Sequence, residues 1–494
     1  MSKQRRRKRH SYRLWIMRPL VSFWGALIGN PSRSVLVGVL SLVSLWLVLT
    51  KSLPYALATR RPDAALALNP NNPVALLAKA EERRAKLVVL SSFGLEKAKG
   101  TQDDARGERS DTLSSLPEAK EGGDDGERES LRAEIRELAL RALANDPLNA
   151  RAIRSLGEVT NGAEQVRLLM QMAFEHSRRE SVAAFWLLND SFYRKDFKDA
   201  LHYADALLRT RPELGTYIYG YLSRLAADPH GRSLLVDRLA SEPAWRNQFF
   251  QVFPRTSTDI DAPLLVMTAL REAGKPVSDK ELAPYLNFLI GANRIDAAYN
   301  AWLQFLPPAQ LGKIELLTNG RFESKPSGLP FDWTIAPGRN AVADFVPLGK
   351  NSAANAFHIK FGDGRVQFPQ ISQVLFLPPG RYRLEGKLRG AISGKRGLRW
   401  QIRCASGSQR ILGETEMLLG QSEQWRIFAF EAEAPQLSEC SGEILRLIHD
   451  SRSASEELLS GEHASSIVGL RRKKLLQNKN FFQVLSLHVV QRPC

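Results

Sequence analysis

The residue types that ordinarily carry chemistry are present in this chain, but not at the spacings chemistry needs. The eight histidines are scattered, no His-x-x-x-His or Cys-x-x-Cys pair occurs, and no glycine-rich phosphate loop follows a strand-like run. Paired acids occur at Asp190 and Asp196 and at Glu431 and Glu433. Two carboxylates flanking a glycosidic bond can serve as acid and base, yet any charged helix or strand offers such pairs, and no catalytic residue is assigned. Trp333, Trp400 and Trp425 could stack on sugar rings, but the alternation around Trp400 turns it inward, and all three are assigned to the core.

The elements that would position these residues begin with an apolar run at 34–50, bounded by Arg33 and Lys51. Its length is near the lower limit for crossing a bilayer. Nine Lys and Arg residues and no acid lie in 1–33, so the positive-inside rule places the N-terminus in the cytoplasm and the rest outside it. Ala56-Leu57-Ala58 has the form of a signal-peptidase site, the rival reading. The run exceeds a usual signal core and Lys51 separates it from that site, which favours an uncleaved anchor. Residues 19–28 are too short to cross and read as interfacial. About half of the formal charge of +17 lies in the basic tail, where anionic lipid is the nearer partner, and nucleic acid is not expected.

Residues 51–311 alternate Ala/Leu-rich helical patterns with Pro/Asn/Asp turns. Asn69-Pro70-Asn71-Asn72 and Asn145-Asp146-Pro147-Leu148-Asn149 each end one helix and open another. These junctions, with Leu156-Gly157 and with Leu187, Phe197, Ala200 and Pro212 at packing positions, resemble tetratricopeptide repeats. The resemblance implies three to five degenerate helix pairs and a groove that holds a protein partner. Leu188 stands where that family prefers Gly. Within the array, 96–129 is rich in Asp, Glu, Lys, Gly and Ser, and reads as a disordered insertion.

Past Pro307-Pro308 the period changes to two. Tyr382, Leu384 and Leu388 share one face of a strand, as do Leu398, Trp400, Ile402 and Cys404, and further strands are expected at 356–361, 374–377, 425–432 and 443–449. Short strands at regular spacing indicate an antiparallel β-sandwich over 314–462. In an oxidising compartment Cys404 and Cys440 could be bridged or could be two separately buried thiols, with Cys494 unused.

Thr318-Asn319-Gly320-Arg321-Phe322-Glu323, Gly328-Leu329-Pro330-Phe331-Asp332-Trp333 and the Leu377-Pro378-Pro379-Gly380-Arg381-Tyr382 strand entry resemble galactose-binding-like jelly rolls of the carbohydrate-binding-module type. The resemblance implies a jelly roll that could touch glycan, and a structural calcium at Glu323; that residue reads equally well as a solvated strand acid. No other cofactor is expected. The chain departs from the family at 463–494, a basic tail in which 481–490 could form a displaced last strand.

The expected organisation is a cytoplasmic tail (1–33), a transmembrane helix (34–50), a helical array (51–311), a β-sandwich (314–462) and a basic tail (463–494). The expected function is a single-pass bacterial inner-membrane scaffold with its bulk in the periplasm. It would bind a protein partner through the repeats and envelope glycan through the sandwich, in surface polysaccharide assembly or export. The alternatives are a polysaccharide-acting enzyme and a purely structural envelope protein.

Overall fold

The computed structural model describes residues 31–104, 122–312, 314–348, 354–362, 366–392, 397–405, 410–436, 439–449 and 481–492. The basic stretch before Pro31, most of 463–494 with Cys494, and the middle of the predicted insertion lie outside the described residues. The chain divides into two units, Met1–Arg211 and Pro212–Cys494, so the boundary falls inside the helical region.

In the first unit, α1 (Pro31–Leu47) continues through a π-helical turn (Val48–Ser52) into α2 (Leu53–Leu57). The stretch long and apolar enough to cross a membrane is Gly38–Leu57, so the apolar helix runs on past Lys51 rather than stopping there. Ala58 is fully buried in a small cluster with Ala65 and Ala75. Then come α3 (Pro62–Leu68), α4 (Pro73–Asp104), α5 (Gly122–Asn145), α6 (Ala150–Glu158), α7 (Ala163–His176), α8 (Ser181–Tyr193) and α9 (Phe197–Thr210), each from α4 onward packing on the next.

The similarity of the two Pro/Asn turns has a physical origin in capping. Asn72 Oδ1 accepts from the amides of Val74 (3.0 Å) and Ala75 (3.2 Å), and Asn149 Oδ1 accepts from Ala152 (3.2 Å). Each asparagine thus satisfies the orphan donors of the helix it opens. The predicted insertion needs correcting at both ends. Helix α4 extends to Asp104 and α5 starts at Gly122, since Glu, Lys and Arg are good helix formers even without apolar surface; 105–121 lies outside the described residues.

Of the residues predicted to pack between helices, Gly157, Leu187 and Ala200 are buried and Leu156 and Phe197 half-buried. A Cβ at Gly157 would come within 3.1 Å of Met170 Cε, which shows how closely α6 and α7 approach. Pro212 is exposed; it opens a 3-10 turn instead of packing.

The second unit opens with stacked helices α10 (Gly215–Ala227), α11 (Pro229–Ala240), α12 (Arg246–Thr256), α13 (Ala262–Glu272), α14 (Asp279–Gly291), α15 (Ile295–Phe305) and the short α16 (Pro308–Leu311). Two antiparallel five-stranded sheets follow, with orders β1-β4-β9-β6-β7 and β2-β3-β10-β5-β8. The first sheet comprises β1 (Thr334–Ile335), β4 (Ile371–Leu375), β6 (Leu398–Cys404), β7 (Ile411–Glu414) and β9 (Glu443–His449). The second comprises β2 (Ala341–Pro347), β3 (Asn355–Phe361), β5 (Gly380–Ile392), β8 (Gly420–Ala434) and β10 (Phe481–Gln491). Tyr382, Leu384, Leu388, Leu398, Trp400, Ile402 and Trp333 fill the space between them.

The terminal segment does form the last strand of the sandwich, at Phe481–Gln491. β10 lies between β3 and β5, paired to both, because Phe482, Val484 and Leu487 supply an inward face that completes the core. The Thr318–Glu323 motif serves this strand. Leu487 donates its N–H to Gly320 O (2.8 Å), and a Cβ at Gly320 would sit 2.3 Å from Leu487 O, so only glycine permits the approach. Asn319, at φ 51°, receives the Trp333 indole N–H on its carbonyl (3.1 Å).

Cys404 and Cys440 are joined, with Cα atoms 5.6 Å apart. Their bridge pins the turn leading into β9, and the same turn meets the helices: a Cβ at Gly442 would lie 2.7 Å from Ile295 Cδ1. Tyr299 and Trp302 of α15 pack their rings on Phe331 (centroids 5.2 and 5.5 Å). Thiol labelling of denatured, unreduced protein should therefore find Cys494 alone reactive, and reduction should cost about 2–4 kcal/mol of stability. Three reactive thiols would refute the bridge.

Candidate functional site

Two surfaces, one in each unit, combine open space with organised polar groups. In the first unit a groove of about 880 Å³ is lined by Leu77, Arg84, Leu148, Arg154, Glu180 and Val182, among others. Its floor is Arg154, a side chain only 2% exposed, which pairs with Glu158 (2.7 Å), Glu180 (3.3 Å) and Glu81. Burial alone would lower the guanidinium pKa, but Glu158, Glu81 and Glu180 more than reverse that and raise it, so the floor stays charged and internally neutralised. Arg84 joins the network through Glu158 (2.8 Å). Above this floor Leu148 (69%) and Val182 (39%) are exposed, leaving an apolar lip over an ion-paired base.

In the second unit the outer face of the β2-β3-β10-β5-β8 sheet carries a transverse row. Strand register places Asp344 opposite His358, His358 opposite Gln483, and Gln483 opposite Arg389. Trp425 stands beside Arg389, where the β5–β8 pairing shifts register between Leu388 and Gly390. The Arg389 guanidinium lies over the Trp425 ring at 4.5 Å, and its Nε donates to Gln483 Oε1 at 2.9 Å. His358 is held below the usual histidine range, first by burial and then by Lys360, with Asp344 opposing, so it faces this row uncharged at neutral pH.

Trp425 departs from the core assignment made for it. It shares parity with Ile427, Glu431 and Glu433, whereas Phe428, Phe430 and Ala432 turn inward, so the strand's own alternation contained the signal. Trp333 and Trp400 are buried core residues. The acid pairs are otherwise engaged. Asp190 binds Arg167 (2.8 Å) and Arg194 (3.0 Å), which depress its pKa against the effect of burial, and Asp196 caps α9 through the Asp199 amide (3.3 Å). Glu431 lies beside Arg383 (3.9 Å) and Arg492 (3.4 Å), and Glu433 is exposed on the same strand face. Glu323 is exposed, its backbone carbonyl accepting from Asn355 (3.2 Å). Among the described residues no group of three or more His, Cys, Asp or Glu could hold a metal ion.

No family model matches the chain, and no curated protein matches it. Solved structures similar to the C-terminal β-sandwich include carbohydrate-binding modules of jelly-roll form. The CBM22-1 xylan-binding domain from Paenibacillus barcinonensis Xyn10C shares 8% identity, with 32% of this chain and 85% of that one covered at a TM-score of 0.21. A CBM4 module shares 14%, over 36% and 99% of the two chains, at 0.23. TmCBM61, solved with β-1,4-galactotriose, shares 12%, over 36% and 99%, at 0.20. At these scores the likenesses carry no argument, and the sandwich is defined here by its own strand order.

Proposed function

We propose that the protein is a membrane-anchored envelope adaptor without catalysis of its own. On this reading the helical groove holds a segment of a protein partner and the outer sheet face bearing Trp425 contacts glycan, in the assembly or export of a surface polysaccharide. The observation that carries the adaptor reading is the groove's construction. Its buried Arg154 is neutralised within the fold, while Leu148 and Val182 stay in solvent, the arrangement of a surface that gains by covering apolar area. The anchor reading is supported by Ala58, whose burial with Ala65 and Ala75 joins the apolar helix to the first helices of the array. The basic excess before the span supports a cytoplasmic N-terminus and a periplasmic bulk.

A periplasmic reporter fused after Arg61 should be active, and the protein should stay in the membrane fraction. A soluble form beginning at Thr59 would remove the anchor from the reading. A photo-crosslinker at position 182 should capture one defined partner in cells, and Leu148→Asp should abolish that adduct. Unchanged crosslinking in the variant would contradict the groove as the docking surface.

A further inference from the structure

The outer face of the β2-β3-β10-β5-β8 sheet is divided electrostatically along the strands. Toward one end its cations face acids: Arg383 pairs with Glu385 and lies 3.9 Å from Glu431, Arg492 reaches Glu431 at 3.4 Å, and Arg381 stands opposite Glu433 in the strand register. Toward the other end stand Arg389 and Lys387 on β5 and Lys360 on β3, and no carboxylate among the described residues pairs with any of them. The acids exposed toward that end are Asp344, on β2 opposite His358, and Glu423, on β8 two residues before Trp425, and neither forms an ion pair with these cations. Like charges on one sheet face repel, so an unmatched basic strip is stabilised by whatever anion it meets.

Arg389 is already aimed for this. Gln483 fixes its Nε and Trp425 holds the plane of the guanidinium, while the terminal Nη groups have no acceptor among the described residues. A guanidinium immobilised in this way loses little further freedom on binding an oxyanion by two parallel hydrogen bonds. Lys387 lies two residues along the same strand face, beside Ile427, which is 71% exposed. Lys360 is two strands away across β10, roughly 10 Å. An extended polymer with an anionic group on successive units fits this spread of charges beside an aromatic and an aliphatic wall. A neutral chain would leave the three cations unanswered.

We propose that the glycan recognised by this sheet is anionic, a polysaccharide bearing carboxylate groups, with Arg389 as the specificity-determining residue and Lys387 and Lys360 as auxiliary cations. The inference rests on the glycan-contact reading above. The test uses the full chain in a neutral detergent, with polygalacturonate, neutral xylan and inorganic polyphosphate as probes. Polygalacturonate should bind more tightly than xylan, and its affinity should fall with salt. Arg389→Gln should weaken it by about tenfold or more, Lys387→Gln by less, and Arg381→Gln should change nothing.

If xylan binds as tightly and Arg389→Gln has no effect, the anionic assignment is wrong while the glycan reading stands. If neither polysaccharide binds, the glycan reading itself fails. If polyphosphate matches polygalacturonate and loses affinity equally in Arg389→Gln, the strip is a general polyanion surface and the proposal is overturned. Lys387, exposed on its strand, keeps the test open should Arg389→Gln fail to fold.

Discussion

Glu443→Gln should stabilise the protein at pH 8 and leave it almost unchanged at pH 4. Glu443 opens β9 opposite Cys404 and is 1% exposed. Burial pushes its carboxyl from the ordinary 4.5 up to about 7, partly offset by the Leu377 amide, which donates to Oε2 at 3.2 Å, and by its own amide. Between those two values the folded protein holds a proton that the unfolded chain has released, so stability falls as pH rises through the window. The stabilising share is fully present below about 4.5 and lost once pH passes about 7, which corresponds to about 3 kcal/mol. Glutamine mimics the protonated acid and keeps the Leu377 contact. Urea midpoints of wild type and variant from pH 4 to 8 should diverge steadily; parallel curves would show that the carboxyl is not desolvated as described.

Arg246→Ala should be among the most damaging single changes outside the sandwich. Arg246 Nε meets Glu281 Oε1 at 2.8 Å and Nη2 meets Oε2 at 3.3 Å, both side chains being 9% exposed. The same guanidinium donates to the carbonyls of Leu239 (3.1 Å) and Pro276 (3.2 Å). Removing it strands a buried carboxylate and these carbonyls together with that of Lys275 (3.4 Å), at about 3–5 kcal/mol. Glu281 also closes the capping box at the start of α14 by accepting from the Ser278 amide (2.8 Å), so that turn should fray as well. Replacing both partners with Met should cost less than Arg246→Ala alone, since no lone charge is left. A loss below about 1 kcal/mol for Arg246→Ala would place the pair in the class of solvated surface bridges.

Period and punctuation made much of the architecture legible from sequence. The alternation of Tyr382, Leu384 and Leu388, and of Leu398, Trp400 and Ile402, identified core-facing strands, and the Asn72 and Asn149 turns marked helix starts because a cap is a local device. What stayed hidden depends on register. Arg389, Gln483 and His358 come from three strands distant in sequence, and nothing in any one of them says that β10 will enter between the other two. Glu443 looks like an ordinary acid at a strand start; its burial is created by the disulfide turn and the residues around Leu377. Arg154 and Glu158 read as a surface i,i+4 pair until Glu81 and Glu180, from other helices, enclose them.

The central position of β10 also sets an order of events. A ribosome delivers chain from the N-terminus, so β3 and β5 emerge long before the strand that separates them. Until residues 481–491 arrive, both present unsatisfied ladder edges across a gap one strand wide. Such late, long-range closure slows folding and leaves the intermediate open to capture. The nascent sandwich therefore has a vacant berth for a strand, and during its synthesis a neighbouring copy or a chaperone competes with its own C-terminal segment to fill it.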